Sequence, residues 1–321
     1  MRIGSLFSGA GGLDMAVEEV FGATTSWYSE INPAASKVLA HNNPDTPNIG
    51  DITCINWDVW SEIHPEVLVP VDILCGGWPC QPFSVAGKKK GIHDHRALWP
   101  YVARAVRTLR PRIVVLENVP AVLTAGEFDR VANDLAACGY DFAWTCFRAS
   151  DVGAPHRRER IFVVAHADNA RRREQRRPVA VPTQLPATEH DSDSSVTLLP
   201  TPTARDGKGR DIPNREGGKG LPQAMLDGVR DHDGTQWGKY EPAIRRWENL
   251  TRPAPPPTVT NSAGKEWLNP EFSEWLMGWP QGWVTDPAIG ISRNDQLKIV
   301  GNGVCPQQAA AALRYLLEVT K

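Results

Sequence analysis

From residue 1 to about residue 167, short apolar runs alternate with stretches of helical period, and few folds accept that pattern. Strand-like runs occupy 2–7, 24–30, 71–75, 113–117, 144–148 and 161–165. Helix-like stretches at 13–21, 34–41, 99–109 and 127–138 lie between them. Strands punctuated by helices predict an α/β fold with a doubly wound, mostly parallel sheet. The runs at 144–148 and 161–165 have no helix between them, so an antiparallel pair at one edge is expected. The pattern stops near Asp168. Residues 168–200 are rich in Arg, Pro, Ser, Thr and Asp without periodicity, and 201–265 are rich in Gly and Pro with isolated Trp237, Tyr240 and Trp247. Order returns at 266–321, with helices expected at 271–277 and 304–318. Three segments follow: a catalytic and cofactor-binding domain (1–167), a smaller irregular domain (168–265) and a C-terminal return to the first (266–321).

With 321 residues and 41% hydrophobic content, the chain can bury a sizeable core. No stretch has the apolar length of a membrane span, and Met1-Arg2-Ile3-Gly4 does not open a signal peptide, so a cytoplasmic location is expected. Six cysteines, at 54, 75, 80, 138, 146 and 305, form no CxxC pair and no cluster with histidine. Isolated thiols are expected, with neither a metal site nor disulfides. A net charge of −2 weighs only weakly against a nucleic-acid partner, because phosphate contacts act within roughly 10 Å. Arginines do cluster locally, at 157, 158 and 160 and again at 171–173 and 176–177. Such a run suits a solvated linker and a phosphate-facing strip about equally.

Three blocks carry chemistry. Phe7-Ser8-Gly9-Ala10-Gly11-Gly12-Leu13 ends the first strand and opens a helix, where glycines let the backbone approach a ligand closely. Glu30 ends the second strand at a distance suited to ribose hydroxyls, and Asp51 is a second acid near the sheet mouth. Together they point to an adenosine-containing ligand without separating a nicotinamide dinucleotide from S-adenosylmethionine. Next, Gly76-Gly77-Trp78-Pro79-Cys80-Gln81-Pro82-Phe83-Ser84 follows the strand at 71–75, which puts Cys80 beyond a carboxyl strand end. A buried structural thiol is the competing reading, and so constrained a turn disfavours it. Finally, Glu117-Asn118-Val119 ends the strand at 113–117, and His156-Arg157-Arg158-Glu159-Arg160 precedes the last one. Strand alternation predicts that Arg158 and Arg160 share a face and a common anionic site.

In this order the blocks resemble the motifs of the DNA cytosine-5 methyltransferase family, of bacterial and phage type, along nearly the whole chain. Phe7 to Gly12 resembles the first cofactor motif, and Glu30 and Asp51 the second and third. Gly77-Trp78-Pro79-Cys80-Gln81 resembles the nucleophile motif, with Trp78 where the family usually has another residue. Arg96-Ala97-Leu98 falls at the cofactor-contacting leucine, and Glu117-Asn118-Val119 at the acid motif. His156 to Arg160 resembles Gln-x-Arg-x-Arg, with His156 in place of the glutamine. Pro256-Pro257-Thr258-Val259 looks like the boundary closing the recognition domain, and Gln296 with Gly301-Asn302-Gly303-Val304 like the final motif.

The resemblance implies a Rossmann-like methyltransferase that uses S-adenosylmethionine, yields S-adenosylhomocysteine and methylates C5 of a flipped-out cytosine in duplex DNA. Cys80 is then the nucleophile adding to C6, since C5 alone is too weak a nucleophile to take a methyl group. Glu117 would hold N3 and the exocyclic amine, Arg160 the thiolate and O2, and Arg158 would support the same pocket or its backbone. Cofactor contacts are expected from Phe7, Gly9, Gly11, Gly12, Glu30, Ile31, Asp51, Ile52, Pro79, Leu98, Asn302 and Val304. The stretch 84–96 resembles the family's mobile loop. Gln81, Ser84, Lys88, Lys89 and Arg96, with Arg205 and Lys208 from the irregular domain, are the expected DNA contacts. Arg210, Lys219, Trp237, Lys239 and Arg245 are further candidates, although Trp237 and Trp247 fit a small core better than a stacking platform. The resemblance also implies a monomer without metal, with a cognate restriction endonuclease as a cellular companion. Three alternatives stay open at this level: an RNA cytosine-5 methyltransferase, a silent DNA-binding relative and a nicotinamide-dependent dehydrogenase. The large segment 168–265 disfavours the first, intact Cys80, Glu117 and Arg160 the second, and the glycine spacing the third.

Overall fold

A computed structural model of the protein describes residues 1–59, 70–79, 98–124, 126–167, 179–180, 196–208, 220–228 and 237–320. The first half unrolls as β1 (Arg2–Leu6), α1 (Gly12–Phe21), β2 (Thr24–Ser29), α2 (Pro33–Asn42) and β3 (Ile73–Gly76). It continues with α3 (Trp99–Leu109), β4 (Ile113–Asn118), α4 (Glu127–Ala137), β5 (Tyr140–Arg148) and β6 (Glu159–Ala167). With the two-residue β7 (Val179–Ala180), these strands form one sheet in the order β2-β1-β3-β4-β6-β5-β7. The first four run parallel, so their carboxyl ends share one edge. β6 inserts antiparallel between β4 and β5. The expected antiparallel pair is therefore present, but β6 lies inside the sheet and β5 carries β7 on its outer side.

Both faces of this sheet are covered, which is why its strands are apolar without a polar face. Val114, Leu116, Ile161 and Val163 point into one layer with α3 and α4, through Trp99, Val102, Val106, Phe128 and Val131. Val115, Phe162 and Val164 point into the other, against Leu13, Ala16 and Val17 of α1. That second layer is completed from the far end of the chain. The alanine-rich C-terminal helix (Pro306–Val319) packs Ala309, Ala312, Leu313 and Leu316 on it.

Between 196 and 302 the described elements are α5 (Leu221–Gly228), α6 (Glu241–Leu250), β8 (Thr258–Thr260), β9 (Glu266–Leu268), α7 (Pro270–Leu276) and α8 (Arg293–Asn302). The C-terminal helix is α9. Trp237, Trp247, Phe272 and Trp275 form a third core with Leu221, Met225, Ile244 and Leu297. Trp237 stacks on Phe272 with centroids 5.7 Å apart, and the Trp247 indole donates to Trp275 O at 2.9 Å. Both tryptophans are thus core residues. β8 and β9 pair antiparallel, so the boundary expected between 265 and 266 falls inside a hairpin. A fourth cluster joins α2 to α8 through Val38, Trp279, Ile299 and Cys305. Among the described residues, no helix is long and apolar enough to cross a membrane, and no group of His, Cys, Asp and Glu could hold a metal ion.

Candidate active site

The carboxyl ends of β1 to β4 open onto a cavity of about 630 Å³. Such a crevice is where ligands of parallel α/β sheets bind. Its wall gathers Phe7, Gly9, Gly12, Glu30, Ile31, Asp51, Ile52, Pro79, Leu98, Asn302 and Val304 from the expected cofactor set. Gly11 is the exception: its Cα faces Leu39 and Trp283, away from the cavity. It is required for conformation instead, with φ of 85°, a value that L side chains rarely adopt. Gly12 is required for space, since a Cβ there would lie 2.5 Å from Val304 O. Through that contact the glycine turn of β1 meets residues 301–304, and the Trp279 indole locks it by donating to Val304 O at 2.7 Å. The Trp283 indole adds a bond to Ala10 O at 2.7 Å.

At one end of the cavity lie two acids. Glu30 accepts the Gly9 amide at 2.8 Å and the Asn32 amide at 2.6 Å, which fixes its carboxylate against the turn. Burial pushes its carboxyl above the ordinary range, with the amide bonds opposing. Asp51 caps a short turn by accepting the Thr53 amide at 2.9 Å. Ile31, 68% exposed, is an apolar side chain at the mouth.

At the other end, Arg160 pairs with Glu117, Nε to Oε1, at 3.0 Å. Burial raises the Glu117 carboxyl, and the Arg160 guanidinium works against that rise. Gly77 makes room for this carboxylate, because a Cβ there would sit 2.7 Å from Glu117 Oε2. Asn118 donates to Trp78 O at 2.9 Å and so ties the strand end to the segment entering Cys80. Trp78 itself is 2% exposed, packs on Trp99 with centroids 5.3 Å apart, and donates its indole N–H to Glu127 Oε1 at 3.1 Å. Its departure from the family pattern is thus matched by a buried acceptor. Cys80, Gln81, Ser84, Lys88, Lys89 and Arg96 lie outside the described residues, as do Arg210 and Lys219.

Arg158 corrects one expectation. It precedes β6 with φ of 22°, outside the alternation that would aim it with Arg160. Its buried guanidinium donates to the carbonyls of Pro202, Gly301 and Gly303 and acts on Glu117 only through space. Carbonyl oxygens bind its charge directly, Glu117 supports it through space, and burial brings its pKa down to about 9. His156 is fully buried and donates Nε2–H to Leu276 O at 2.9 Å, which leaves Nδ1 unprotonated and without a partner. Burial lowers its pKa to about 3.

Arg158 also clamps residues 201–208 onto α8. A Cβ at Gly301 would lie 2.0 Å from Thr203 C, and Asp206 braces the turn by accepting the Thr203 amide at 2.8 Å and its hydroxyl at 2.7 Å. Arg205 projects from this turn and is exposed, and Lys208 ends it. Lys239 is exposed above the Tyr240 ring, whereas Arg245 is engaged with Glu241 and Glu248. Among the cavity-lining residues that the sequence reading did not single out are Ser5, Asp14, Asn32, Thr53 and Lys298.

Comparison with known proteins places this arrangement. A sequence profile of C-5 cytosine-specific DNA methylase matches residues 1–318. The Type II methyltransferase M.HhaI of Haemophilus parahaemolyticus is 36% identical over 168 residues, 51% of this chain and 48% of that protein. The Type II methyltransferase M.AquIA of a Picosynechococcus species is 34% identical over 175 residues, 50% of this chain and 70% of that one. The chain thus spans about half the length of M.HhaI. In fold it resembles DNMT2 of Spodoptera frugiperda, with a TM-score of 0.61 and 21% identity over 98% of this chain and 99% of the other. S. pombe Dnmt2 methyltransferase gives 0.61 and 15% over 100% and 99%.

Proposed function

Because the chain belongs to the C-5 cytosine-specific DNA methylase family, we propose that it methylates C5 of a flipped-out cytosine within a specific duplex DNA sequence, with S-adenosylmethionine as donor. The observation that carries this reading is the buried Glu117–Arg160 pair at one end of a cavity whose other end holds Glu30 and Asp51. An acid and a cation set together suit a pyrimidine edge, and two acids beside a glycine turn suit a ribose. The cavity is also of ligand size. Glu30 retains lone pairs for the sugar after its two amide bonds, and Ile31 offers an apolar face to a purine. Gly9 has nothing within 4 Å of a would-be Cβ, which leaves the open approach a donor molecule needs.

Cys80 supplies the thiolate that adds to C6 of cytosine. An ordinary thiol is only a few per cent ionised at neutral pH, so the Arg160 cation beside the base assists. Glu117, whose carboxyl burial raises, gives its proton to N3 as the C6–S bond forms. The resulting enamine makes C5 nucleophilic. When bound, S-adenosylmethionine supplies an electrophilic methyl group on a sulfonium. The C5 proton then leaves to water, the C6–S bond breaks, Cys80 departs as thiolate and the N3 proton returns to Glu117. Asn118 and Gly77 hold the acid and the entry to Cys80 in register. Flipping the base out of a duplex costs a few kcal/mol, and residues 168–265, with Arg205 and Lys208, are the recognition region that stabilises that state. The relatives' shared name, Type II methyltransferase, favours a restriction–modification role with a cognate endonuclease as companion.

The test is a duplex carrying 5-fluorocytosine at the methylated position, incubated with donor. A denaturation-resistant protein–DNA adduct is expected, and Cys80→Ala should abolish it while S-adenosylhomocysteine still binds. Methylation at a normal rate by Cys80→Ala would remove the proposed nucleophile. Stronger methyl incorporation into transfer RNA than into duplex DNA would move the substrate from DNA to RNA.

A further inference from the structure

Behind the glycine turn, the cavity wall contains a carboxylate with no counter-charge. Asp14 is the third residue of α1 and is 3% exposed. Its Oδ1 accepts the Cys75 thiol at 3.7 Å, while Oδ2 is buried and has no hydrogen-bond partner. Ser5 bonds to the same carboxylate and to the Ser8 hydroxyl at 2.8 Å. Ser5, Ser8 and Asp14 all line the cavity. The nearby charge that acts on Asp14 is another acid, Glu18, which only adds repulsion. Of the described cations in the cavity wall, Arg160 is engaged with Glu117 and Lys298 is exposed.

A buried carboxylate oxygen without a partner, on a residue of a ligand cavity's wall, is expensive unless a ligand supplies the missing partner. The position narrows the choice. Glu30 and Asp51 take one end and Glu117 with Arg160 the other, so Asp14 faces the stretch between sugar and target base. In S-adenosylmethionine that stretch holds a zwitterionic amino-acid group. The amino end of α1 suits its carboxylate, through free amides and the helix dipole. Something else must take the ammonium.

We propose that Asp14 is a donor-binding residue whose unpaired Oδ2 accepts the α-ammonium of the methionyl half of S-adenosylmethionine. Ser5 and Ser8 act as positioning residues that hold the carboxylate toward the cavity. This inference rests on the S-adenosylmethionine reading above. Burial pushes the Asp14 carboxyl up to about 6, so at neutral pH it is ionised and ready for a cation.

Calorimetry with S-adenosylhomocysteine and its desamino analogue, which keeps the carboxylate, tests the pairing on the wild-type protein and on Asp14→Asn. A charge-assisted buried hydrogen bond predicts that the wild type binds S-adenosylhomocysteine about tenfold to a hundredfold more tightly than the desamino analogue. In Asp14→Asn that preference should collapse while affinity for the desamino analogue holds. A variant that keeps the wild-type preference overturns the assignment, and so does a wild type indifferent to the amine. The second comparison needs no variant and stands whatever the substitution does to folding. A wild type that binds neither ligand instead overturns the cofactor reading, and this inference with it.

Discussion

Replacing Asp14 with asparagine removes a buried charge while keeping the shape of the side chain. In the ligand-free protein, burial shifts this carboxyl from its ordinary 3.8 up to about 6, so folding favours the protonated form. A raised carboxyl contributes stability that is fully present below about pH 3.8 and is lost as pH climbs through about 6. The whole shift corresponds to about 3 kcal/mol. Asparagine does not titrate, so the stability of the variant relative to wild type should rise across that window. Between about pH 5 and about pH 7.5 the remaining part of the titration amounts to about 1.4 kcal/mol. Urea unfolding of both proteins at those two pH values, without ligand, reads this difference directly, because groups common to both cancel. Saturating ligand should oppose the change. At a hundred times its Kd, S-adenosylhomocysteine stabilises the wild type by about 2.7 kcal/mol, whereas a tenfold weaker variant gains only about 1.4 kcal/mol at the same concentration. A wild-type-to-variant difference that does not move with pH would refute the buried-charge argument. Equal stabilisation of both proteins by ligand would refute the pairing.

Other residues carry equally direct expectations. Gly301→Ala drives a Cβ to within 2.0 Å of Thr203 C and 2.2 Å of Ala204 N, both backbone atoms, so urea unfolding should show a loss of at least about 1–3 kcal/mol. S-adenosylhomocysteine affinity should fall with it, since Asn302 follows directly. Trp78→Phe leaves Glu127 Oε1 without its donor, beside an Oε2 that already has no partner, and should cost about 1–3 kcal/mol in the same assay. His156 has its pKa lowered to about 3 in the fold, so its contribution is present above about 6.5 and drains as pH falls. Urea curves from about pH 7 to about pH 5 should show His156→Gln gaining on wild type by roughly 1.4 kcal/mol per pH unit below about 6. Parallel pH profiles would rule out a buried neutral imidazole.

The alternation in residues 1–167 determined the kind of sheet and most of its boundaries, because strand and helix periods are properties of near neighbours in the chain. Helix α3 matches its expected span, 99–109, and the neighbouring elements differ by a residue or two at most ends. Motif order was equally legible, since glycine at a turn and a charged residue after an apolar run are local facts. What tertiary structure decided is where buried polar atoms find partners. Strand alternation put Arg158 on one face with Arg160, whereas the role of supporting the pocket or its backbone is the one its bonds suit: carbonyls at 202, 301 and 303, more than forty residues away. Glu274, inside the helix expected at 271–277, is fully buried and collects the amides of Gly282, Val284 and Thr285. Asp14 gave no local sign that it would face the cavity. A low-dielectric interior forces each such group to meet whatever the fold brings to it, and residues distant in sequence supply that encounter only once the chain has closed.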